Sequence, residues 1–179
     1  MGELLQRKSN RLKGYNYSSI GSYFITICVK DKREMLGVVV GDAPPRVPYC
    51  EMSEYGKIVE MQIQKTNTVY QNAEVDKYVI MPNHIHMIIT VKSGTRGGAS
   101  PTKAVIPKII QGIKSITTMY IKHSIWQRSY HDHIIRDNEK YNQIANYIEN
   151  NPMTWERDCF HPSNVGDAPP RIPHNKMSE

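Results

Sequence analysis

The stretch Asp76-Lys-Tyr-Val-Ile-Met-Pro-Asn-His-Ile-His-Met-Ile-Ile-Thr-Val91 constrains this chain more than any other. Two β-prone runs, Tyr78–Met81 and His84–Val91, flank Pro82 and Asn83. Proline fixes φ and removes a donor, while asparagine tolerates unusual backbone angles, so the pair reads as a turn. Residues two apart on a strand share a face. His84 and His86 therefore project together from one face, and Ile85, Met87 and Ile89 from the other. Two imidazoles side by side on a rigid strand form half of a metal site. The bland alternative is a pair of solvent-facing histidines on a half-exposed strand.

A chain of 179 residues fits one domain with tails, and 39% hydrophobic residues suffice for one core. The net charge of +6 suits a polyanionic partner, although many soluble proteins are as basic without binding nucleic acid. Cys28, Cys50 and Cys159 are unevenly spaced and lack a Cys-x-x-Cys pair. They speak against a disulfide framework or a cysteine zinc site and fit a reducing compartment. No apolar run reaches the length of a membrane span, and residues 1–9 lack the apolar core of a signal peptide. The expected location is the cytoplasm, with no membrane partner.

Residues Met1–Tyr17 form a basic arm, which reads equally as a phosphate-contacting segment or a solvated terminus. Ser22–Val29 is an expected strand, and Met35–Val40 a second one that would close a hairpin with it across Lys30–Glu34. The proline-rich segment Val40–Glu54 recurs without gaps as Val165–Glu179. It is too short for a structural repeat unit. A repetitive DNA element captured twice, where the fold tolerates insertion, accounts for the match. Ser53 is an expected N-cap for a helix to Thr66. Lys92–Pro101 reads as a mobile Gly/Ser-rich connection. A second helix is expected over Thr102–His123, with Val105, Ile109, Ile113, Ile116, Met119 and Tyr120 as its buried stripe. Its other face carries Lys103, Lys108, Lys114 and Lys122, either a solvated face or a track for a DNA backbone. Ile125–Arg136 is a last expected strand, and Asp137 caps a third helix that Pro152 ends. Three helices and about five strands in this order suggest an α+β domain with a ferredoxin-like antiparallel sheet. The domain is placed at 18–158, between the arm 1–17 and a Pro-rich tail 159–179.

Tyr147 and Asn151 are four apart on the third helix and share a face. A phenol can attack a phosphodiester and hold the product as a phosphotyrosine. With a reference pKa of about 10 it needs a cation on the scissile phosphate. His84, His86 and Asn151 form a candidate ligand set for a divalent ion, Mg²⁺ or Mn²⁺.

Tyr78-Val-Ile-Met-Pro-Asn-His-Ile-His-Met-Ile resembles the HUH signature of the single-tyrosine (IS200-like) transposases. Trp126-Gln-Arg-Ser-Tyr-His-Asp-His-Ile-Ile-Arg136, followed by Tyr147-Ile-Glu-Asn-Asn-Pro152, resembles the C-terminal signature of the REP-associated tyrosine transposases. The likeness covers roughly Tyr15 to Asp158. It implies a ferredoxin-like or RRM-like sheet and a metal-dependent enzyme that nicks single-stranded, hairpin-bearing DNA through a 5′-phosphotyrosine. By matching position Tyr147 takes the nucleophile role, and His84 and His86 the metal-ligand role. The insertion-sequence relatives carry a glutamine four residues after the tyrosine. Asn151 is one methylene shorter, so the helix must come closer or a water must bridge. His131 and His133 are expected near the site, as DNA contacts or as structural residues. Lys103, Lys114, Trp126 and Arg128 are further candidates for DNA contact, with Tyr120 and Tyr130 beside Trp126 for stacking. The chain would act as a monomer or a homodimer. The competing reading is a domesticated DNA-binding protein of the same fold without cleavage.

Overall fold

In the computed structural model, residues 20–41, 47–92 and 105–164 are described. They form, in chain order, β1 (Gly21–Cys28), β2 (Gly37–Val40), β3 (Tyr49–Met52), α1 (Glu54–Val69), β4 (Ala73–Met81), β5 (His84–Val91), α2 (Val105–Ile121), β6 (His131–Ile135) and α3 (Asn138–Asn150). Every residue from Tyr23 to Val29 is buried, on both faces of its strand. Only a central strand covered by two layers achieves that, and β1 is central. It pairs antiparallel with β5 on one side and β6 on the other, in a sheet ordered β4-β5-β1-β6. With α1 between β1 and β4, and α2 between β5 and β6, the frame is the βαββαβ ferredoxin-like arrangement. The main sheet has four strands, one fewer than the pattern of the sequence suggests.

The expected β1–β2 hairpin does not form. Asp31 and Lys32 take left-handed backbone angles (φ 58° and 52°) in a short 3-10 turn that carries the chain off the sheet. β2 pairs instead with β3, in a separate two-stranded ribbon. Local propensity marks a strand but not its partner, and both edges of β1 are already taken.

The first copy of the repeat is part of the frame rather than an appendage. Its described end supplies β3 and the cap of α1. Ser53 Oγ accepts from Gly56 N at 3.2 Å and donates to Met35 O at 2.7 Å. Residues 42–46 and 165–179 lie outside the described residues, as does the arm 1–17.

Alternation along the strands divides the interior. Tyr23, Ile25, Ile27, Ile85, Met87 and Ile89 face α1 and α2 in the larger core. Phe24 and Ile88 face the other way, against Ile144, Ala145 and Ile148 of α3. Asp137 caps α3, its side chain accepting from Lys140 N at 2.7 Å. The buried stripe of α2 runs through Val105, Ile109, Ile113, Thr117 and Ile121, the steps of four that keep one face. Ile116, Met119 and Tyr120, expected inside, are 38%, 60% and 49% exposed. The last strand is shorter than its sequence pattern. Trp126 makes an isolated bridge to Val29, and pairing with β1 begins only at His131. Among the described residues no helix is long and apolar enough to cross a membrane.

Candidate metal centre beside a tyrosine

The turn at Pro82-Asn83 starts β5, so His84 and His86 leave the sheet on the α3 side, with ring centroids 4.4 Å apart. Both are fully buried, which removes the reading of a solvent-facing pair. The β-bulge-free pairing of β5 with β1 sets Cys28 opposite His84 and Thr26 opposite His86. Phe160 stacks against His84 at 4.5 Å between centroids, and Trp155 lies 5.9 Å away.

Each imidazole is held by its Nδ1. His84 Nδ1 lies 2.9 Å from Asn83 Oδ1. The Asn83 amide nitrogen donates to Lys32 O at 3.1 Å and Phe160 O at 2.8 Å, so its oxygen must accept. His84 therefore carries its proton on Nδ1 and turns a lone pair outward on Nε2. That Nε2 is buried without a hydrogen-bond partner among the described residues. His86 Nδ1 lies 2.8 Å from Thr26 Oγ1, a bond that fixes the plane of the ring. Burial pushes His84 down to about 3, with the nearby Asn151 side chain easing part of the shift, although no hydrogen bond joins them. Burial, and then the neighbouring His84, holds His86 well below the ordinary imidazole range. Both rings are thus neutral near pH 7, the form that ligates a metal.

α3 brings the remaining groups. The Tyr147 hydroxyl is 3.2 Å from His86 Nε2 and donates to Asp158 Oδ2 at 3.3 Å. Burial, then Asp158, raises its pKa well above that of a free phenol. Asn151 sits fully buried where α3 passes into a 3-10 turn. Its amide nitrogen donates to Asp158 Oδ2 at 3.1 Å, leaving Oδ1 buried with no partner among the described residues. Asp158 also accepts from Phe160 N at 2.7 Å. Ligand atoms of His84, His86 and Asp158 all lie within 4.8 Å of one another.

An imidazole lone pair, an amide oxygen and a carboxylate converge here, and two of these acceptors have no donor. Buried polar atoms are rarely left so, and a cation is what would satisfy them together. Nitrogen plus oxygen donors suit a hard or borderline divalent ion.

Asp158 is the member that sequence reasoning missed. It lies seven residues beyond Asn151, past Pro152, and returns through a 3-10 turn with no periodicity to signal it. Residues 159–164, assigned from the sequence to the tail, carry the buried Phe160 over the histidines.

The other candidates are spread out. His131 and His133 pair with Thr26 and Phe24, on the same sheet face as the histidine pair. His133 is exposed, His131 half-buried and close enough for its charge to act on His86. Trp126 is only 6% exposed and belongs to the core on the far face, so its ring is no open stacking platform. Lys114 is half-buried and donates to Gln127 O and Ser129 O, both at 2.8 Å, which ties down the segment before β6. Arg128 is exposed. Lys103 lies outside the described residues.

No protein-family model matches the chain. An uncharacterised protein of Haemophilus influenzae strain Rd is 34% identical over 170 residues, covering 85% of this chain and 91% of that one. Among solved structures, a REP-associated tyrosine transposase bound to a REP hairpin superposes with a TM-score of 0.57 at 20% identity, covering 89% of this chain and 91% of that one.

Proposed function

Because this chain belongs to one family with the Haemophilus influenzae protein and has the fold of a REP-associated tyrosine transposase, we propose that it nicks and rejoins single-stranded DNA through Tyr147. The observation that carries this reading is the Tyr147 hydroxyl, 3.2 Å from His86 Nε2 and beside a convergent set of metal-type ligands. Tyr147 Oη attacks the phosphorus of a phosphodiester. The bond from phosphorus to the 3′ oxygen breaks, and a 5′-phosphotyrosine and a free 3′-OH result. One phosphodiester replaces another, so a second 3′-OH reverses the step without external energy. Asp158 Oδ2, already accepting from the phenol, is the first stop for the proton. His84 and His86, with the Asn151 amide oxygen and Asp158, would hold the divalent ion. Bound there, Mg²⁺ or Mn²⁺ would neutralise charge on the scissile phosphate. Asn83 and Thr26 keep both Nε2 atoms aimed into the site.

The substrate class is supported by the net charge of +6 and by the REP hairpin bound to the structural neighbour. The test is incubation with single-stranded hairpin DNA and Mn²⁺ or Mg²⁺, followed by denaturing electrophoresis. A covalent protein–DNA adduct is expected, lost in Tyr147→Phe and with chelator. The competing reading is a DNA-binding protein without cleavage; burial and Asp158 hold the phenol's pKa above that of a free phenol, which works against its ionisation. Hairpin binding with no adduct in either metal would establish that reading instead.

A further inference from the structure

Residues 158–164 close the candidate metal site. Asp158 accepts there from Tyr147 and Asn151. Phe160 lays its ring with its centroid 4.5 Å from that of His84 and 5.8 Å from that of His86. The backbone bonds of this segment are local: Asp158 N to Trp155 O, His161 N to Asp158 O and Asn164 N to His161 O, each at 3.0 Å. Such turns give a segment its shape but not its place against the sheet. Two side chains from far earlier in the chain reach its backbone. Asn83 Nδ2 donates to Phe160 O at 2.8 Å. Lys32 Nζ donates to Cys159 O and to Asn164 O, both at 3.1 Å, and so uses two of its three donors. The other end of Lys32 is held as well: its carbonyl accepts at 3.1 Å from Asn83 Nδ2, the amide whose oxygen meets His84 Nδ1. To reach this position the chain passes through left-handed angles at both Asp31 and Lys32, φ 58° and 52°. That conformation costs energy in a residue with a Cβ and persists where the surroundings hold it. The result is one residue that touches both the turn orienting His84 and the segment carrying Asp158 and Phe160.

We propose that Lys32 is a positioning residue of the site: it clamps residues 158–164 over the histidine pair and so keeps the Asp158 carboxylate within reach of both the divalent ion and the Tyr147 phenol. The inference rests on the metal-assisted reading above and adds the residue that registers the return segment against the sheet.

The test uses the full chain in three forms. Lys32→Met keeps most of the stem and deletes the donors, and Lys32→Arg keeps a cation with donors to spare. Lys32 is half-buried and belongs to none of the hydrophobic clusters, so both variants should fold. In the metal-free protein, the amides of Asp158, Phe160 and His161 should exchange with solvent roughly tenfold faster in Lys32→Met than in the wild type. Those of Ile25 and Met87, in the sheet, should keep their protection. Calorimetric titration with Mn²⁺ should show affinity lower by roughly tenfold in Lys32→Met. Adduct formation on hairpin DNA should lose maximal rate with the half-saturating DNA concentration unchanged. Lys32→Arg should restore all three. Wild-type Mn²⁺ affinity in Lys32→Met overturns the proposal, and so does an equal loss in Lys32→Arg. Faster exchange at Ile25 and Met87 also overturns it, because Lys32 would then support the fold at large. Adduct formation by the wild type reads strand transfer separately. With no adduct, strand transfer fails, and exchange and Mn²⁺ affinity still decide the clamp.

Discussion

Thr26 is 1% exposed, and its hydroxyl lies 2.8 Å from His86 Nδ1, so one buried oxygen decides which ring nitrogen faces the site. Thr26→Val keeps the shape and removes that oxygen. Loss of such a supporting bond weakens metal affinity by roughly 10- to 100-fold. Titration calorimetry with Mn²⁺ should show that loss, with the histidines themselves intact; equal affinity in both proteins would mean the hydroxyl does not orient the ring. Asp158 carries more at once. It accepts from Tyr147, Asn151 and Phe160 N. Asp158→Ala should therefore lower metal affinity and also cost about 1–3 kcal/mol of stability, from buried donors left without partners. Denaturant unfolding of the chelated protein checks the second part.

The ends of α1 show how an element is set by what it packs against. Ser53 caps the helix and bonds Met35 O, so Ser53→Ala should cost about 1 kcal/mol by loss of the cap. Gly56, in the first turn, makes the sharper case. Helix propensity alone would have Gly56→Ala stabilise by about 1 kcal/mol. A Cβ there would meet Leu36 O at 2.1 Å and Met52 Cβ at 3.1 Å. The backbone of the segment before β2 cannot yield as a flexible side chain would. The expected outcome is a net loss of about 1–3 kcal/mol in urea unfolding; a gain would show that Leu36 moves freely. Element identity was legible at α1 and α3 because Ser53 and Asp137 mark their starts locally. The buried stripe of α2 was legible only in part. Isoleucines lie on several of its faces, and which face is buried depends on α1, far away in sequence.

For the whole molecule, the histidines make acid the vulnerable side. Burial lowers the pKa of His84, His86 and His131, so the fold refuses protons that the unfolded chain accepts below about 6.5. Stability is therefore full above that pH and falls as pH drops through it, for His84 down to about 3. Each deeply buried ring contributes a slope of at most about 1.4 kcal/mol per pH unit. Melting of the chelated protein from pH 7 to pH 5 should show a falling midpoint, and His84→Gln with His86→Gln should flatten it. A flat wild-type profile would contradict the burial of the pair. Deletion of residues 165–179 tests the doubled segment at the same scale: a melting temperature close to that of the full chain is expected, and a large drop would mean the second copy is as built-in as the end of the first. What the sequence by itself determined are the relations carried within one element. His84 and His86 share a face because a strand repeats every two residues, and Tyr147 and Asn151 fall together because a helix turn spans about four. Only the tertiary structure decided that β1 lies between β5 and β6, that α3 covers the histidine face, and that Asp158 returns to complete the site. Those contacts join residues far apart along the chain. Their partners are chosen by which faces bury each other best, and no local periodicity records that choice.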